Sequence, residues 1–256
     1  MTGNLHSVLA NAWLRPAPDA PPDRQMLFGD AFDVERVEGD WAFGSAAKDG
    51  YVGCVESNLL ATKTTDLKVV MVAVRSTWGY AEPDIKSTPV VDLHMTSPLS
   101  VISEQPEWYE IRMGEASVFV PSAHCVEGER AFEHPGTAAR AFLGTPYLWA
   151  GNTGFGLDCS GLVQVAMRAC GIWCPADSKD QEASIEGTRL ADGEAFKAGD
   201  LVFWKGHVAM LSGAESLIHA NAHHMAVVEE PVHSAIERIA STETGPITTH
   251  LRPDVT

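Results

Sequence analysis

The sequence has few positively charged residues for its length of 256, since 18 lysines and arginines accompany 34 aspartates and glutamates. The resulting formal net charge of −16 repels phosphate backbones and anionic lipid surfaces, which disfavours nucleic-acid and membrane partners. Nor does any stretch approach the roughly 18 consecutive apolar residues of a membrane-spanning helix. Hydrophobic residues still make up 45% of the chain, so a folded core is expected.

Paired cysteines are absent from the sequence as well. The five cysteines are odd in number and no two of them form a Cys-x-x-Cys pair, so neither a disulfide framework nor a structural zinc site is indicated. Residues 1–15 contain no basic stretch followed by an apolar core and a small-residue cleavage site, as a secretory signal would. These absences predict a protein of the reducing cytoplasm that binds no metal and no other cofactor.

The first half of the chain has the pattern of β-structure. After an N-terminal segment over 1–15, in which residues 5–14 have helical spacing, four prolines between 15 and 22 predict an extended arm. Short apolar runs separated by Gly-Asp and Asp-Gly turns predict a small β-barrel over 16–62. A second β-barrel is predicted over 67–127. Its apolar runs cover 69–74, 99–102, 108–113 and 116–120.

From residue 131 to residue 254 the pattern changes to that of an α+β domain. Apolar residues recur at helical spacing between 162 and 170, and Gly171 follows where a helix commonly ends in glycine. A further helix is predicted over 138–143. Three strands whose succession favours antiparallel pairing are then predicted over 201–204, 207–211 and 217–219.

Cys159 is the candidate nucleophile because it lies at the start of the apolar helix. The sequence Asp158-Cys159-Ser160-Gly161 places the thiol in the first helical turn, where unbonded N–H groups and the helix dipole favour a thiolate. A buried structural cysteine is the alternative, and that description suits Cys170 on the apolar face. The roles of the remaining three cysteines, Cys54, Cys125 and Cys174, stay open.

Two histidines on successive strands supply the base that a thiol nucleophile needs. His207 begins one predicted strand and His219 lies on the next, so a hairpin would place the second ring beside the first and orient it. Structural histidines are the alternative interpretation of both. His223 and His224 raise the question of a metal site with Cys159, but the set lacks the short spacing of zinc motifs, and no metal is predicted.

Several segments of the second half resemble the NlpC/P60 peptidases in order and spacing. They are Pro146-Tyr147-Leu148-Trp149, Leu157-Asp158-Cys159-Ser160-Gly161-Leu162, Gly199-Asp200-Leu201-Val202-Phe203, Gly206-His207-Val208 and Ile218-His219-Ala220. The first half resembles bacterial SH3 domains, most clearly at Asp49-Gly50-Tyr51-Val52-Gly53. The resemblance implies an α+β fold in which a papain-like NlpC/P60 catalytic domain follows two small SH3-like β-barrels.

The resemblance also implies roles for individual residues of the second half. Cys159 would be the nucleophile, His207 the general base and acid, and His219 the group that orients His207. Tyr147 matches a tyrosine near the developing oxyanion. Asp177 either lines the substrate pocket or begins a loop. The positions that line this pocket in the family are matched by Trp149, Asp158, Ser160 and Ser178.

Substrate recognition is implied to involve the first β-barrel. Tyr51 matches a tyrosine that grips the free amino group of L-alanine, and the acidic partner is expected at Asp23, with Asp19 as the alternative. Such a pairing excludes N-acylated peptides, because acylation would leave the carboxylate without its ammonium. One departure precedes the nucleophile, where the usual Trp-Gly-Gly reads Trp149-Ala150-Gly151, and we expect it to narrow this loop slightly.

Over its whole length the chain resembles the γ-D-glutamyl-L-diamino acid endopeptidases of the dipeptidyl-peptidase VI type. That implies a cysteine peptidase of cell-wall peptide recycling, which cuts small murein peptides with a free amino terminus after γ-D-glutamate. The diamino acid on the leaving side is diaminopimelate or lysine, and the oligomeric state is not predicted. Two alternatives stay open: another thiol-dependent acyl-transfer or amidase reaction on the same scaffold, and a non-catalytic protein that binds wall fragments.

Overall fold

The computed structural model describes residues 4–63, 66–191, 193–242 and 244–254. The chain divides into two compact units: unit 1 comprises Met1–Ala131 and Asn152–Gly154, and unit 2 comprises Phe132–Gly151 and Phe155–Thr256. Within the described ranges, no helix has both the length and the apolar character needed to cross a membrane.

The first part of unit 1 is a small β-structure around one core. Its strands are β1 Asn4–Val8, β2 Ala12–Leu14, β3 Arg24–Met26, β4 Ala31–Glu38, β5 Trp41–Ala46, β6 Val52–Glu56 and β7 Leu60–Thr62, with a 3-10 turn at Ser57–Leu59. Five of them form an antiparallel sheet in the order β6-β5-β4-β1-β7, and β2 and β3 pair separately. Both groups bury apolar side chains in the same core, among them Val8, Leu14, Met26 and Phe32.

The helix predicted over residues 5–14 is wrong. This segment forms β1 and β2, and β1 is an interior strand that pairs with β4 on one side and β7 on the other. The spacing of its apolar residues is compatible with a helix, but hydrogen bonds from two distant segments satisfy the backbone of β1, and this tertiary pairing outweighs the local pattern. The proline-rich residues 16–23 contain neither helix nor strand, which agrees with the predicted arm.

The second part of unit 1 is a seven-stranded antiparallel sheet. Its strands are β8 Lys68–Val72, β9 Ser76–Tyr80, β10 Pro89–His94, β11 Pro98–Glu104, β12 Trp108–Met113, β13 Ala116–Pro121 and β14 Cys125–Glu127, with a 3-10 turn at Ser122–His124. Their order is β10-β9-β13-β12-β11-β8-β14, around a core that includes Val70, Leu93, Leu99 and Ile111. The four predicted runs correspond to β8, β11, β12 and β13, whereas β9 and β10 were not predicted.

Unit 1 also contains the short strand β15, Asn152–Thr153, and Gly154 after it. The Asn152 N–H donates to Gln25 Oε1 at 3.1 Å, and the Gly154 N–H donates to His94 Nδ1 at 3.2 Å. A Cβ atom at Gly154 would collide with the Ser76 side chain and the Arg75 backbone, so only glycine fits there.

Unit 2 combines helices with one antiparallel sheet. Its helices are α1 Pro135–Arg140, α2 Cys159–Arg168, α3 Ser178–Ser184 and α4 Val232–Ala240. Its strands are β16 Gly156–Leu157, β17 Gly187–Arg189, β18 Leu201–Trp204, β19 His207–Leu211, β20 Ser216–Asn221, β21 Ala226–Pro231 and β22 Thr249–Pro253. The sheet has the order β17-β22-β18-β19-β20-β21, and β16 lies outside it.

Most of the predicted elements of unit 2 are confirmed. The strands predicted at 201–204 and 207–211 have these bounds, and the third strand extends to 216–221. The apolar helix is α2, and Gly171 has the positive φ of 73° expected beyond a helix end. The other helix is α1, which begins and ends three residues earlier than predicted, because Pro135 occupies its first turn. The α+β prediction is therefore confirmed, with α2 packed against β19 and β20.

Candidate active site

Cys159 is the first residue of α2, and its neighbour Asp158 is the N-cap. The Asp158 carboxylate accepts hydrogen bonds from the Gly161 N–H at 2.6 Å and the Ser160 hydroxyl at 3.1 Å. These bonds fix the first turn of the helix, and Cys159 lies there with only 9% of its surface exposed. The positive end of the helix dipole at this position favours a negatively charged sulfur.

The turn before the helix is held by the same carboxylate. Ala150 donates its N–H to Asp158 Oδ2 at 3.0 Å, and its φ of +62° lies in the left-handed region that favours glycine. This is the position at which the family's usual Trp-Gly-Gly has its first glycine. At Gly151 a Cβ atom would lie 2.6 Å from the Gly156 carbonyl oxygen, so a side chain is excluded there by contact alone.

His207 and His219 lie side by side on the paired strands β19 and β20. His207 Nε2 and His219 Nδ1 are 2.8 Å apart, and the two ring centroids are separated by 5.0 Å. His219 is 1% exposed, whereas His207 is half-buried. The structure thus brings together the two histidines that the sequence singled out, and leaves Nδ1 of His207 as the ring nitrogen outside this bond.

A carboxylate and a guanidinium extend this pair, and neither was predicted from the sequence. His219 Nε2 lies 2.7 Å from Glu230 Oε1, and the guanidinium of Arg238 donates to the same oxygen. Glu230 lies on β21 and Arg238 on α4. The register pairs Glu230 with Leu217, which makes it the diagonal neighbour of His219. No sequence spacing signals such a diagonal contact before the strand register is known.

The protons on both rings follow from this arrangement. An ionised carboxylate only accepts hydrogen bonds, so His219 carries its proton on Nε2 and accepts with Nδ1. His207 must then donate from Nε2, which leaves an unprotonated Nδ1. Burial lowers the pKa of both His207 and His219, so both rings are neutral near neutral pH. The hydrogen bond from His219 lowers the pKa of Glu230, which keeps this carboxylate ionised.

The hydroxyl of Tyr147 is influenced by the charge of Cys159, the candidate nucleophile. Burial raises the pKa of the Tyr147 hydroxyl to about 12, with smaller contributions from the negative charges of Cys159 and Asp158. The hydroxyl therefore stays protonated near neutral pH and can donate a hydrogen bond. The segment is anchored by the bond from the Tyr147 N–H to the Met225 carbonyl oxygen, 2.9 Å.

The remaining pocket candidates of unit 2 differ in exposure. Trp149 is 69% exposed, while Ser160 is buried and its carbonyl oxygen accepts a hydrogen bond from the Gln181 side chain at 2.9 Å. Ser178 is half-buried as the first residue of α3, and Asp177 is the N-cap residue of that helix. No group of three metal-ligating side chains occurs within the described ranges, and His223 and His224 contact each other.

The candidates for amine binding belong to unit 1. Tyr51 packs against the core of the first sheet, and its N–H donates to Asp49 Oδ1 at 3.1 Å. Asp23 and Asp19 are exposed, and the Asp23 N–H donates to the Leu14 carbonyl oxygen at 3.0 Å. Their role in gripping an amine stays a prediction.

Comparisons with known proteins give the site its context. Residues 144–242 match the NlpC/P60 family, and residues 14–60 match the bacterial dipeptidyl-peptidase SH3 domain. The Gamma-D-glutamyl-L-lysine dipeptidyl-peptidase of Bacillus subtilis (strain 168) is 29% identical over 220 residues, covering 77% of this chain and 71% of that protein. Dipeptidyl-peptidase 6 of Lysinibacillus sphaericus is 26% identical over 244 residues, covering 86% of this chain and 88% of that protein.

A solved structure shares the fold over nearly the whole chain. It is the crystal structure of an NlpC/P60 family protein from Bacillus cereus ATCC 10987, with a TM-score of 0.79 at 20% identity. The alignment covers 97% of this chain and 99% of that one. Together with the capped cysteine and the paired histidines, these matches identify an NlpC/P60 domain at residues 144–242 and, before it, a bacterial dipeptidyl-peptidase SH3 domain at residues 14–60.

Proposed function

We propose that the chain is a cysteine endopeptidase that hydrolyses the γ-D-glutamyl–L-diamino acid bond of murein peptides with a free amino terminus. The observation that carries the proposal is the bond between His207 Nε2 and His219 Nδ1, because it leaves Nδ1 of His207 unprotonated for use as a base. The domain that contains this pair also presents Cys159 at the N-terminus of a helix. A thiol, a base and an orienting group are the components of nucleophilic acyl transfer.

The first half of the reaction forms an acyl-enzyme. His207 Nδ1 takes the proton of the Cys159 thiol as the sulfur attacks the γ-carbonyl carbon of D-glutamate. The carbonyl oxygen becomes an oxyanion, to which the Cys159 N–H and the Tyr147 hydroxyl would donate hydrogen bonds. The bond to the diamino acid then breaks, and the proton held by His207 passes to the leaving α-amino group.

The second half returns the enzyme to its starting state. A water molecule gives a proton to His207 Nδ1 and attacks the thioester carbon. The carbon–sulfur bond breaks, L-Ala-γ-D-Glu leaves as a carboxylic acid, and the proton returns from His207 to the Cys159 sulfur. Both steps need His207 to be neutral at rest, which its lowered pKa supports.

The names of the two relatives support the choice of substrate. One is named for a γ-D-glutamyl-L-lysine bond and both are named as dipeptidyl-peptidases. A dipeptidyl cut requires a free amine two residues before the scissile bond, and Tyr51 with Asp23 is the proposed amine site. Peptides with a free amine are fragments of the wall, so the proposal includes recycling of such fragments in the cytoplasm. Diaminopimelate and lysine remain alternatives on the leaving side.

The test is a mass-spectrometric digest of L-Ala-γ-D-Glu-meso-diaminopimelate and of its N-acetylated form, with wild type and Cys159→Ala. We expect wild type alone to cleave, and only the free-amine peptide. Equal cleavage of both peptides would support the peptidase activity but contradict the proposed amine site. No cleavage of either by wild type would overturn the proposal and favour another acyl transfer, an amidase or a binding protein.

Variants of unit 1 test the amine site separately. Tyr51→Ala should raise KM more than it lowers kcat, with Tyr109→Ala as a control in which a core-contacting tyrosine of the second sheet is lost. Asp23→Asn and Asp19→Asn form a matched pair of exposed carboxylates, and we expect only the first to raise KM. An unchanged KM in Tyr51→Ala would rule out a role of Tyr51 in binding the substrate amine.

A further inference from the structure

We propose that Glu230, held by Arg238, is a positioning residue that determines which nitrogen of His207 carries the proton. This inference rests on the proposed function, since it concerns the base of that reaction. Neither residue belongs to the Cys159, His207 and His219 set, and neither lies within a motif that carries the family resemblance. Their assignment comes from contacts that join β20, β21 and α4.

The first step of the case is the geometry at His219. Its side chain is fully buried, and its two ring nitrogens contact His207 on one side and Glu230 on the other, at 2.8 and 2.7 Å. A buried imidazole with two such neighbours must donate to one and accept from the other when it is neutral. Glu230 as a carboxylate can only accept. The direction of both hydrogen bonds is therefore set at Glu230.

The second step is the consequence for His207. If Glu230 did not demand a donor, His219 could carry its proton on Nδ1 and donate to His207 Nε2. His207 would then carry its own proton on Nδ1 and could not accept the proton of Cys159. Loss of the carboxylate thus converts part of the enzyme population to an inactive tautomer, with no change in the protein backbone.

The third step is the role of Arg238. Its guanidinium, which comes from α4, bonds the same Glu230 oxygen that faces His219 and so helps to hold the carboxylate in place. Other charged groups also act here: His224, in the turn before β21, opposes protonation of His219, and Arg238 opposes protonation of His207. Glu230 is the group whose negative charge favours the imidazolium of His207 during turnover.

The neighbouring residue Glu229 provides a matched control. It precedes Glu230 on β21, but its carboxylate bonds Arg140 at 2.7 Å and the Ser216 hydroxyl at 3.3 Å. It therefore forms a carboxylate–guanidinium pair of the same kind without contacting a histidine. Glu229→Gln and Arg140→Gln change the same chemistry on the same strand and leave the His219 contact in place.

The experiment compares Glu230→Gln with Glu229→Gln in the full chain. For Glu230→Gln we expect kcat on L-Ala-γ-D-Glu-meso-diaminopimelate to fall by at least about tenfold, with KM within about twofold, because only the fraction of enzyme with the correct tautomer reacts. The acid limb of the kcat profile should move to lower pH, because the negative charge that favours protonated His207 is gone. Glu229→Gln should leave kcat, KM and the acid limb of the kcat profile unchanged.

A second readout does not depend on activity. The 15N chemical shifts of labelled histidines distinguish a protonated from an unprotonated ring nitrogen, and we expect His207 and His219 to be protonated on Nε2 in wild type and mixed in Glu230→Gln. Failure of wild type to cleave the peptide would defeat the proposed function while this measurement still decides the tautomer. If Glu230→Gln does not fold, Arg238→Gln against Arg140→Gln takes its place, with a smaller fall in kcat and less mixing of the two tautomers in the 15N spectrum. The acid limb of Arg238→Gln should move to higher pH, because Arg238 opposes protonation of His207. Identical profiles and 15N shifts in the two members of either pair would overturn the inference.

Discussion

Ala150 shows how one residue can oppose the conformation that its position requires. Its φ of +62° costs a side-chain-bearing residue about 1 to 2 kcal/mol, yet its methyl group is buried with 1% exposure. Replacing it by glycine would remove the strain, but would also lose about 0.8 kcal/mol of burial and some chain entropy. These opposing effects nearly cancel.

We therefore expect Ala150→Gly to leave the free energy of unfolding almost unchanged. The matched control is Ala166→Gly, at a fully buried position in α2 without backbone strain. There the lost methyl group and the poorer helix propensity add up, for a destabilisation of roughly 2 kcal/mol. Urea unfolding of the three proteins measures both values. A loss in Ala150→Gly as large as that in Ala166→Gly would show that the left-handed backbone costs nothing here.

At the residue scale, the sequence could predict a member of the candidate site only where the chemistry of the side chain and the motif around it indicate the same residue. Cys159 was recognisable because Asp158 and Gly161 mark a helix start, and the capping bond between them is present. Glu230 and Arg238 were not recognisable, because a glutamate at the end of a strand and an arginine on a helix are ordinary surface residues in a sequence. Their contact with His219 exists only through the strand register and the position of α4.

At the scale of elements, prediction succeeded where the local pattern and the tertiary environment agree. The strands β18 and β19 are buried runs joined by a Lys-Gly turn, and their bounds were predicted without error. The segment 5–14 failed because its partners are distant in sequence. The strand β9 was missed because Thr77, Gly79 and exposed Trp78 interrupt its apolar pattern, although it is paired with β10 in the sheet.

The paired strands β19 and β20 make the stability of the protein depend on pH through their histidines. His207 and His219 have lowered pKa values in the folded chain, whereas an unfolded histidine titrates near 6.5. The unfolded chain therefore binds more protons as the pH falls, so stability is complete above about pH 6.5 and is lost below it. His207 alone should account for a loss of about 2 kcal/mol between about pH 6.5 and pH 5.

Urea unfolding at these two pH values measures the effect, with a His207→Gln/His219→Gln double variant as the control. The lowered pKa values of Asp200, Glu229 and Glu230 act in a different window, since carboxylates in the unfolded chain bind protons only near pH 4. Acidification also relieves repulsion within a chain of net charge −16, and the double variant subtracts this contribution. Equal pH dependence in both proteins would contradict the prediction.

At the scale of the whole molecule, the sequence predicted the order of folded parts better than their internal detail. Turn dipeptides and apolar runs indicated two β-rich parts before an α+β domain, and both sheets and the mixed unit are present. That success depends on motifs that each occupy a few consecutive residues. The inclusion of residues 152–154 in unit 1 was not predictable, because it depends on Gln25 and His94, which have no sequence relation to that loop.

The five cysteine thiols of the chain include the proposed nucleophile, Cys159, and chemical labelling can count it. Burial raises the pKa of Cys125 to about 12 and also raises the pKa of Cys54, while Cys170 and Cys174 are 4% and 1% exposed. At neutral pH these four thiols should resist alkylation, because only a reachable thiolate reacts.

Iodoacetamide should therefore add a single carbamidomethyl group to the native protein, at Cys159, and none to Cys159→Ala. Intact-mass spectrometry would measure this stoichiometry, and a label on any other cysteine of the native chain would refute it. Because Cys159 is the proposed nucleophile, the alkylated fraction would then serve as an active-site titration, from which every turnover number of the variants above can be calculated per functional enzyme.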